Sequence, residues 1–360
     1  MAWGRIGDVV LATGHLKQLR RWFHPRPVWF LGRSRVKPVV EPFVDAFLPF
    51  PDPSEAETDS GTAPAASLER IVNQSFRYII ADIHTFYGGL FTLDSLLAAL
   101  RADRKFVYEG YYLGKDLAPE RPYPAGYEIV PTYEGRADPS TGDDGFHVLN
   151  HNTHYIRHVL EQCGVETVDG ELWRPDMGHI GPGTEECRRF GIEPGGYVAW
   201  QPASENRRKD YPPPHWAETI SAFPDQQFVA LVEPGKAAGL EWTASHDVRV
   251  IETTLSRAMR LIRAARLFVG LDSVLSHIAA TLGTPTVCVC PDSHLGYFFP
   301  YPRNYGYTNL HTVFHPDYRS CRGCFMTCRH EPLTSTITRG ALCLRALPPR
   351  LVIDAIRAAL

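Results

Sequence analysis

The stretch LFVGLDSVLSHIAATLGTPTVCVC, residues 267–290, decides the fold class of this chain. Residues 267–270 are apolar and predict a buried strand, and residues 273–282 predict a helix. Residues 285–290 are apolar again and predict a second strand. A strand, a helix and a strand in such close succession form the βαβ unit of a parallel sheet. The fold class is therefore predicted as α/β.

The turn that opens the predicted helix is a candidate anion site. Asp272 or Ser273 can cap the helix with a side-chain oxygen. The amides of Ser273, Val274 and Leu275 then lie at its positive end, and free N–H groups there bind anions without a cationic side chain. His277 lies one turn further along the helix. The alternative is an ordinary, well-capped turn followed by a packed histidine.

The alternation of strands and helices extends along the whole chain. In the second half, strands are predicted at residues 197–200, 227–232 and 248–251, and helices at residues 214–223, 255–265 and 349–360. In the first half, strands are predicted at residues 27–31, near residue 50 and at residues 77–84, and helices at residues 39–47, 67–76, 90–100 and 151–164. Residues 51–66 predict an exposed loop, and residues 173–183 predict a linker. The pattern indicates two α/β halves.

Composition places the chain among soluble globular proteins. It has 360 residues, of which 44% are hydrophobic and 21% are charged, and its net charge is −3. At roughly 100–200 residues per domain, this length favours two domains. A slightly negative chain has no global basic field for nucleic acid, and no apolar run approaches the roughly 20 residues of a membrane span. The amino end has no apolar signal-peptide core, so we expect a cytoplasmic protein.

A second segment, WQPASENRRKDYPPPHW at residues 200–216, carries cations beside a predicted strand end. Ser204 follows the strand, and Arg207, Arg208 and Lys209 lie in the loop before a helix preceded by prolines. Three consecutive cations can neutralise a diphosphate. The alternative is a basic loop exposed to solvent.

Four motifs occur along the chain in an order that resembles one known family. They are Gly7-Asp8 before Val9-Val10-Leu11-Ala12-Thr13; Lys209 with Tyr211, Pro212 and Trp216; Asp272-Ser273-Val274-Leu275-Ser276-His277-Ile278-Ala279-Ala280; and the cysteines Cys321, Cys324, Cys328 and Cys343. On these motifs the chain resembles the glycosyltransferase family 9 heptosyltransferases, enzymes of the GT-B fold. The resemblance spans nearly the whole chain.

The sequence departs from that family's pattern in three places. Val274 stands where the family has a glycine, and its Cβ narrows the approach of a pyrophosphate to the backbone. Only residues 1–5 precede Ile6, fewer than the family's first strand occupies. Residues 20–150 match the family only loosely.

The resemblance implies two Rossmann-like domains with parallel sheets that face each other across a cleft. The acceptor-binding domain is expected at residues 1–172, and the donor-binding domain, with a Cys-rich segment at residues 321–343, at residues 173–347. A last helix at residues 348–360 is expected to pack back on the N-terminal domain. The implied reaction is the metal-independent, inverting transfer of a heptose from ADP-heptose to a hydroxyl of a lipopolysaccharide core or protein acceptor. A lipid-linked acceptor would imply peripheral association with the inner membrane face, through the aromatics and arginines of residues 20–35.

The resemblance also implies a role for each candidate residue. Asp8 is the expected base that takes the proton of the acceptor hydroxyl, and capping of its helix is the alternative. Lys209 and the amides of residues 273–275 are expected to stabilise the departing diphosphate. Ser204 is expected to add a hydroxyl to the phosphates, and Asp272 to orient its loop or contact the donor sugar.

Three further donor-side residues complete the candidate set. His277 is expected to reach a phosphate or the sugar. Glu233 ends a predicted strand and is expected to bind the ribose hydroxyls, as acids do in nucleotide folds. Thr253 is expected to meet the base through backbone groups.

The cysteines divide into two groups. Cys163, Cys187, Cys288 and Cys290 are scattered and predict buried thiols. Cys321, Cys324, Cys328 and Cys343 cluster at a spacing that suits a structural zinc or iron site, and the resemblance extends to autotransporter heptosyltransferases with an iron-binding, cysteine-rich finger. The alternative is a set of reduced structural thiols. No cofactor is expected to be required for the chemistry itself.

Two other functions stay open on the sequence alone. One is a transferase or epimerase of similar fold that uses a UDP or GDP sugar. The other is a nucleotide-sugar-binding protein without activity, which Val274 and the short first strand favour.

Overall fold

The structure, a computed structural model, falls into two compact units. It describes residues 6–50, 69–81, 97–108, 126–131, 147–167, 173–291, 298–321, 328, 330–332, 334–335 and 339–360. The N-terminal unit consists of Met1–Gly135 and Leu149–Pro175, and the C-terminal unit of Arg136–Val148 and Asp176–Leu360. Within the described ranges, no helix combines the length and the apolar character needed to cross a membrane.

The described residues of the N-terminal unit form parallel strands and helices, the longest helices being α1 and α3. Its elements are α1 (Ile6–Phe23), β1 (Trp29–Arg33), α2 (Lys37–Val40), β2 (Ala46–Phe50), β3 (Ser75–Ala81), β4 (Arg101–Tyr108), β5 (Glu128–Val130) and α3 (Val148–Gln162). β1 pairs with β2, and β3, β4 and β5 form a second sheet in that order. A buried cluster that includes Leu31, Ile79 and Val107 joins residues of both sheets in one core.

The C-terminal unit is built on one six-stranded parallel sheet. Its elements are α4 (Thr184–Phe190), β6 (Tyr197–Trp200), α5 (Pro213–Ser221), β7 (Gln227–Val232), β8 (Arg249–Glu252), α6 (Leu255–Ala264), β9 (Leu267–Leu271), α7 (Val274–Leu282), β10 (Thr286–Val289), β11 (Leu310–Val313), α8 (Leu342–Ala346) and α9 (Pro349–Ala359). The strand order is β11-β10-β9-β6-β7-β8. This is the doubly wound order whose direction reverses between β6 and β9, and ligands bind at the carboxyl ends of the strands on either side of such a reversal.

Central strands buried on both faces explain why the sequence pattern was so clear in this unit. All four residues of β6, all five of β9 and all four of β10 are buried, and both faces of a parallel sheet need apolar cover. The cover includes Trp216 and Ile220 of α5. The prediction of an α/β fold with parallel sheets is confirmed.

The last helix differs from its expected position. Residues 348–360 were expected to pack back on the N-terminal domain, whereas α9 buries Val352, Ile353 and Ile356 in the core of the C-terminal unit. The apolar face of the helix is complementary to α5 and the β10–β11 side of the sheet, which it covers.

Two helix predictions in the first half are also wrong in part. Residues 39–47 form the end of α2, a 3-10 turn at Glu41–Phe43 and the start of β2. Prolines at positions 38 and 42 restrict helix to short turns, because proline is tolerated only in the first turn of a helix. Within residues 67–76, the described helix covers only residues 69–72, and Ser75 already pairs with Arg101. The predicted helix at residues 90–100 lies largely outside the described residues.

Candidate functional site

The carboxyl ends of β6 and β9 meet at the reversal point of the C-terminal sheet. The N–H of Gln201, directly after β6, donates to the carbonyl of Val269 in β9 at 2.9 Å. Asp272 directly follows β9 and is almost completely buried, and α7 begins two residues later. The loop after β6 and the first turn of α7 are therefore held together by the sheet itself.

Lys209 projects from the loop after β6 onto Asp272. A 3-10 turn at Arg207–Lys209, capped by the side chain of Asn206, leaves Lys209 only 8% exposed while Arg207 faces solvent. The Lys209 ammonium donates to the Asp272 carbonyl at 3.0 Å and lies 3.2 Å from Asp272 Oδ2. Of the three consecutive cations, the structure thus selects Lys209 as the buried one.

A short hydrogen-bonded turn keeps the Lys209 loop in place. The Ser204 N–H donates to Asp210 Oδ1 at 2.7 Å, and the Asn206 N–H donates to the Ser204 hydroxyl at 3.2 Å. Burial raises the pKa of Asp210 to about 6, although the bond from Ser204 acts against that shift. The indole of Trp216 donates to the Pro202 carbonyl at 3.1 Å and anchors the start of the loop.

The first turn of α7 presents backbone donors. The N–H groups of Ser276 and His277 both contact the Ser273 carbonyl, at 3.1 and 3.4 Å. The amides of Ser273, Val274 and Leu275 have no acceptor among the described residues. Three open amides at a helix N-terminus, next to a buried ammonium, favour an anionic ligand.

His277 is packed in an aromatic cluster. Its ring stacks on Phe299 at 4.4 Å between centroids, and Nδ1 lies 2.7 Å from the Tyr301 hydroxyl. A hydrogen bond and a stacking partner fix the ring, so the packed-histidine alternative accounts for these contacts. Its predicted contact with a phosphate or sugar stays a prediction.

The β7–β8 edge holds the two residues expected to bind the nucleoside. β7 ends at Val232, so Glu233 lies one position beyond the strand, and it is exposed. The Thr253 N–H donates to the Val232 carbonyl at 2.9 Å, which places Thr253 beside the carboxyl end of β7. Thr253 is 6% exposed, and its hydroxyl has no hydrogen-bond partner in the described part of the chain.

Asp8 lies in the N-terminal unit, in the first turn of α1. It is half-buried, and its carboxylate is near the positive end of the helix. The structure therefore places Asp8 inside the helix rather than in a turn that precedes it. Its expected role as a base stays a prediction.

Gln201 is a site residue that the sequence analysis missed. Its side-chain Nε2 donates to the Ser273 hydroxyl at 2.8 Å, so it links the loop after β6 to the first turn of α7. Its position directly after a predicted strand was a signal that could have identified it. The contact with Ser273, 72 residues away, has no signature in a single sequence.

The cysteine cluster is described only in part. Cys343 is buried and Cys328 is half-buried, while the side chains of Cys321 and Cys324 lie outside the described residues. Among the side chains that the structure describes, no three His, Cys, Asp or Glu residues group to hold a metal. The predicted metal site is therefore without support from the described residues.

Comparison with known proteins identifies the segment that carries this geometry. Residues 183–322 match the sequence model of glycosyltransferase family 9 (heptosyltransferase). The match includes every donor-side candidate from Ser204 to His277. The resemblance drawn from the motifs is confirmed, and with it the prediction of a glycosyltransferase. No match to this chain was found among the curated proteins.

Solved structures extend the likeness over the full length. A glycosyltransferase family 9 protein from Veillonella parvula superposes with a TM-score of 0.67 at 15% identity, over 99% of this chain and 95% of that one. E. coli heptosyltransferase WaaC, solved with ADP-2-deoxy-2-fluoro heptose, gives 0.64 at 15% identity, over 99% and 98%. E. coli ADP-heptose lipopolysaccharide heptosyltransferase II gives 0.60 at 14% identity, over 100% and 96%. The fold is therefore that of the GT-B heptosyltransferases.

Proposed function

We propose, from the premise that this chain carries a glycosyltransferase family 9 domain, that it transfers a heptose from ADP-heptose to a hydroxyl acceptor with inversion. The observation that carries the proposal is the buried Lys209–Asp272 pair beside the open first turn of α7, inside the segment that matches the family. The reason for choosing this donor is that E. coli WaaC was solved with ADP-2-deoxy-2-fluoro heptose and that E. coli heptosyltransferase II is named for ADP-heptose.

The donor diphosphate gains negative charge as the glycosidic bond breaks. Donors that are already in place stabilise such charge most effectively, because they need no reorganisation in the transition state. The Lys209 ammonium has three N–H donors, and its two contacts with Asp272 account for two of them. In this proposal the third donor and the open amides of residues 273–275 bind the phosphates, and Ser204 contributes its hydroxyl.

The acceptor hydroxyl must lose a proton as it attacks the anomeric carbon. We assign this proton to Asp8, since a carboxylate is a suitable general base. In this assignment the base and the leaving-group site are on different units, Asp8 on the N-terminal and Lys209 on the C-terminal unit. Attack from the face opposite the leaving group then inverts the anomeric centre.

The acceptor is proposed to be a lipopolysaccharide core or a protein hydroxyl, and the protein to act in the cytoplasm or at the inner face of the membrane. For the chemistry itself no metal is proposed, since Lys209 and the helix amides supply the positive charge. The cysteine cluster is a separate question, which measurement of zinc and iron in the purified protein decides. Metal at less than about a tenth of an equivalent would end the proposal of a stoichiometric four-thiolate site.

The donor is tested by ligand-induced thermal stabilisation. A ligand that binds only the folded protein raises the apparent melting temperature, and at equal concentration a tighter ligand raises it further. We expect ADP-heptose and ADP to stabilise the protein more than UDP or GDP sugars do. A preference for UDP or GDP would replace the proposed donor and favour the alternative of another nucleotide sugar.

The Asp8→Asn variant tests the base and the alternative of a binding protein without activity. General-base catalysis contributes about 10²–10⁴-fold, so turnover of Asp8→Asn should fall by that factor while ADP affinity stays unchanged. Asp45→Asn is the matched control, because Asp45 belongs to the same unit and pairs with Arg20 at 3.1 Å near the surface. Unchanged turnover in Asp8→Asn would exclude Asp8 as the base, and a wild type without turnover on any donor would support the binding protein.

A further inference from the structure

The N-cap serine of α7 does not cap its helix. Ser273 has the extended backbone of an N-cap residue, with φ −155° and ψ 171°, yet its side chain makes no hydrogen bond to the helix. A serine at this position normally accepts a hydrogen bond from one of the first helical amides. Here its oxygen accepts from Gln201 Nε2 at 2.8 Å instead. The Leu275 amide, which a capping Ser273 hydroxyl would occupy, is therefore open as well as the amides of Ser273 and Val274.

Gln201 is held firmly in the position that engages the serine. The residue is 8% exposed, its N–H bonds to β9, and Nε2 also donates to the Ala203 carbonyl at 3.2 Å. Its Oε1 is buried and has no partner among the described residues. Buried polar atoms are seldom left unpaired, and exceptions to such local rules concentrate at functional sites.

We propose that Gln201 is a positioning residue that keeps α7 uncapped for the phosphates of the nucleotide sugar. Since the Ser273 oxygen accepts from Gln201, the serine O–H stays available as a donor. Together with the amides of residues 273–275 it then forms a cradle of four donors beside Lys209. The proposal rests on the proposed function, because it assigns a diphosphate to this site.

Gln201→Met tests the proposal, because methionine is similar in length and has no donor. Released from Gln201, Ser273 caps α7 and occupies one amide. We expect the affinity for ADP to fall about fivefold or more, a fivefold loss corresponding to about 1 kcal/mol, the usual worth of an N-cap. Adenosine has no phosphate, so its affinity should stay unchanged. The melting temperature of the ligand-free variant should be equal to or above that of the wild type.

Asn309 provides a matched control at the opposite end of the same helix. Its side-chain Nδ2 donates to the carbonyls of Ala280 and Thr284, at 3.0 and 2.8 Å, and so satisfies the end of α7. Asn309→Leu also removes a bridging carboxamide, but this one has a purely structural role. Its melting temperature should fall while its ratio of ADP to adenosine affinity stays that of the wild type.

A double-mutant cycle with Ser273→Ala tests whether Gln201 acts through the serine. If it does, Gln201→Met has no further effect on ADP affinity in the Ser273→Ala background. Unchanged ADP affinity in Gln201→Met, or an equal loss for ADP and adenosine, overturns the inference. A wild type that binds none of ADP, UDP and GDP overturns the proposed function itself, and the inference with it.

Discussion

Two buried threonines of the C-terminal unit differ in a single hydrogen bond. The Thr243 hydroxyl donates to the Leu240 carbonyl at 2.7 Å, whereas the Thr253 hydroxyl has no partner in the described part of the chain. A buried hydroxyl without a partner costs about 1–3 kcal/mol. Thr253 lies beside Val232 and the adjoining Glu233, the expected ribose ligand. The proposed nucleoside site predicts that a polar atom of the nucleoside is the partner of this hydroxyl.

We therefore predict opposite effects of Thr253→Val on stability and on binding. Without the unpaired hydroxyl, the melting temperature of the ligand-free variant should be equal to or higher than that of the wild type. Affinity for the preferred nucleotide should fall about 3–10-fold, since a neutral hydrogen bond is lost. Calorimetric titration and thermal melts measure the two effects.

Thr243→Val is the control for this change. It removes the same hydroxyl from a paired threonine, so its melting temperature should fall and its nucleotide affinity should stay the same. If Thr253→Val binds nucleotide as tightly as the wild type, the Thr253 hydroxyl does not contact the ligand.

His15 gives the N-terminal unit a defined response to pH. Burial lowers the pKa of His15 from its ordinary value to about 3, while its Nε2 lies 3.3 Å from the Thr153 hydroxyl. In the unfolded chain His15 takes up its proton near pH 6.5, so between pH 6.5 and 3 the unfolded state binds more protons. Stability is therefore lost as the pH falls through this range, by up to about 1.4 kcal/mol for each pH unit.

His15→Gln should remove this part of the acid sensitivity. Urea denaturation between about pH 7 and pH 4 should give a shallower loss of stability for the variant than for the wild type. His24→Gln, an exposed histidine just beyond the same helix, should follow the wild-type slope. Parallel slopes for His15→Gln and the wild type would show that His15 is not kept neutral by the fold.

At the scale of elements, α1 lies against the backbone of the segment that follows α3. A Cβ built on Gly14 would lie 2.3 Å from the Arg174 carbonyl oxygen and 2.6 Å from that of Trp173. Backbone oxygens cannot move aside as a flexible side chain can. The close approach of α1 to this segment therefore needs a glycine.

For Gly14→Ala, helix propensity predicts a gain in stability, whereas packing predicts a loss. Alanine in place of a helical glycine stabilises a helix by about 1 kcal/mol, but overpacking of this contact costs about 1–3 kcal/mol or more. We expect a net loss of stability in thermal and denaturant unfolding. Because α1 carries Asp8, turnover should fall as well. Gly181→Ala is the control, because a Cβ there meets nothing within 4 Å, and it should change neither stability nor turnover. A Gly14→Ala variant that is more stable than the wild type would refute the close packing of α1.

The strands of the C-terminal sheet could be predicted because the central ones are buried along their whole length and are therefore continuous apolar runs. β7 begins and ends at the predicted residues, Gln227 and Val232, and β6 does so at Tyr197 and Trp200. The helix predicted at residues 39–47 failed because the apolar residues there also fit a strand, and prolines decide between the two. Local sequence predicts an element only when the spacing of its apolar residues fits either a helix or a strand, but not both.

The candidate site could be predicted only at the level of its segments. The motifs located Lys209 and the first turn of α7, since strand ends and helix starts have local signatures. The sequence gives no sign that Lys209 is buried against Asp272 while Arg207 is exposed. Nor does it reveal that Gln201 engages Ser273, because both contacts depend on the pairing of β6 with β9.

At the scale of the whole molecule, the net charge and the local charge at the end of α1 predict different behaviour towards an anionic membrane. The chain has a net charge of −3, which opposes attraction to an anionic surface. Yet the end of α1 and the turn after it expose Lys17, Arg21 and Arg26. The nearby Trp29 ring lies 5.1 Å from the Arg70 guanidinium. Cations beside half-buried aromatics form a surface suited to the anionic face of a membrane.

A lipid-linked acceptor therefore predicts salt-sensitive membrane binding through this surface. Basic residues near an anionic membrane contribute about 1 kcal/mol each, so Arg21→Gln with Arg26→Gln should weaken binding to phosphatidylglycerol vesicles about 30-fold. Binding should also be lost at about 1 M salt, where the screening length is only about 3 Å. Lys236→Gln with Arg263→Gln makes the same change in net charge at exposed positions of the C-terminal unit and should leave binding intact.

Vesicle co-sedimentation separates this local effect from a global one. Equal weakening by both pairs of substitutions would mean that overall charge, rather than the surface at the end of α1, governs the interaction. Wild-type protein that sediments equally with phosphatidylcholine vesicles would point to apolar insertion of the aromatics instead. Protein that stays in the supernatant with both lipids at low salt would remove the case for a membrane-bound acceptor and favour a soluble one, such as a protein hydroxyl.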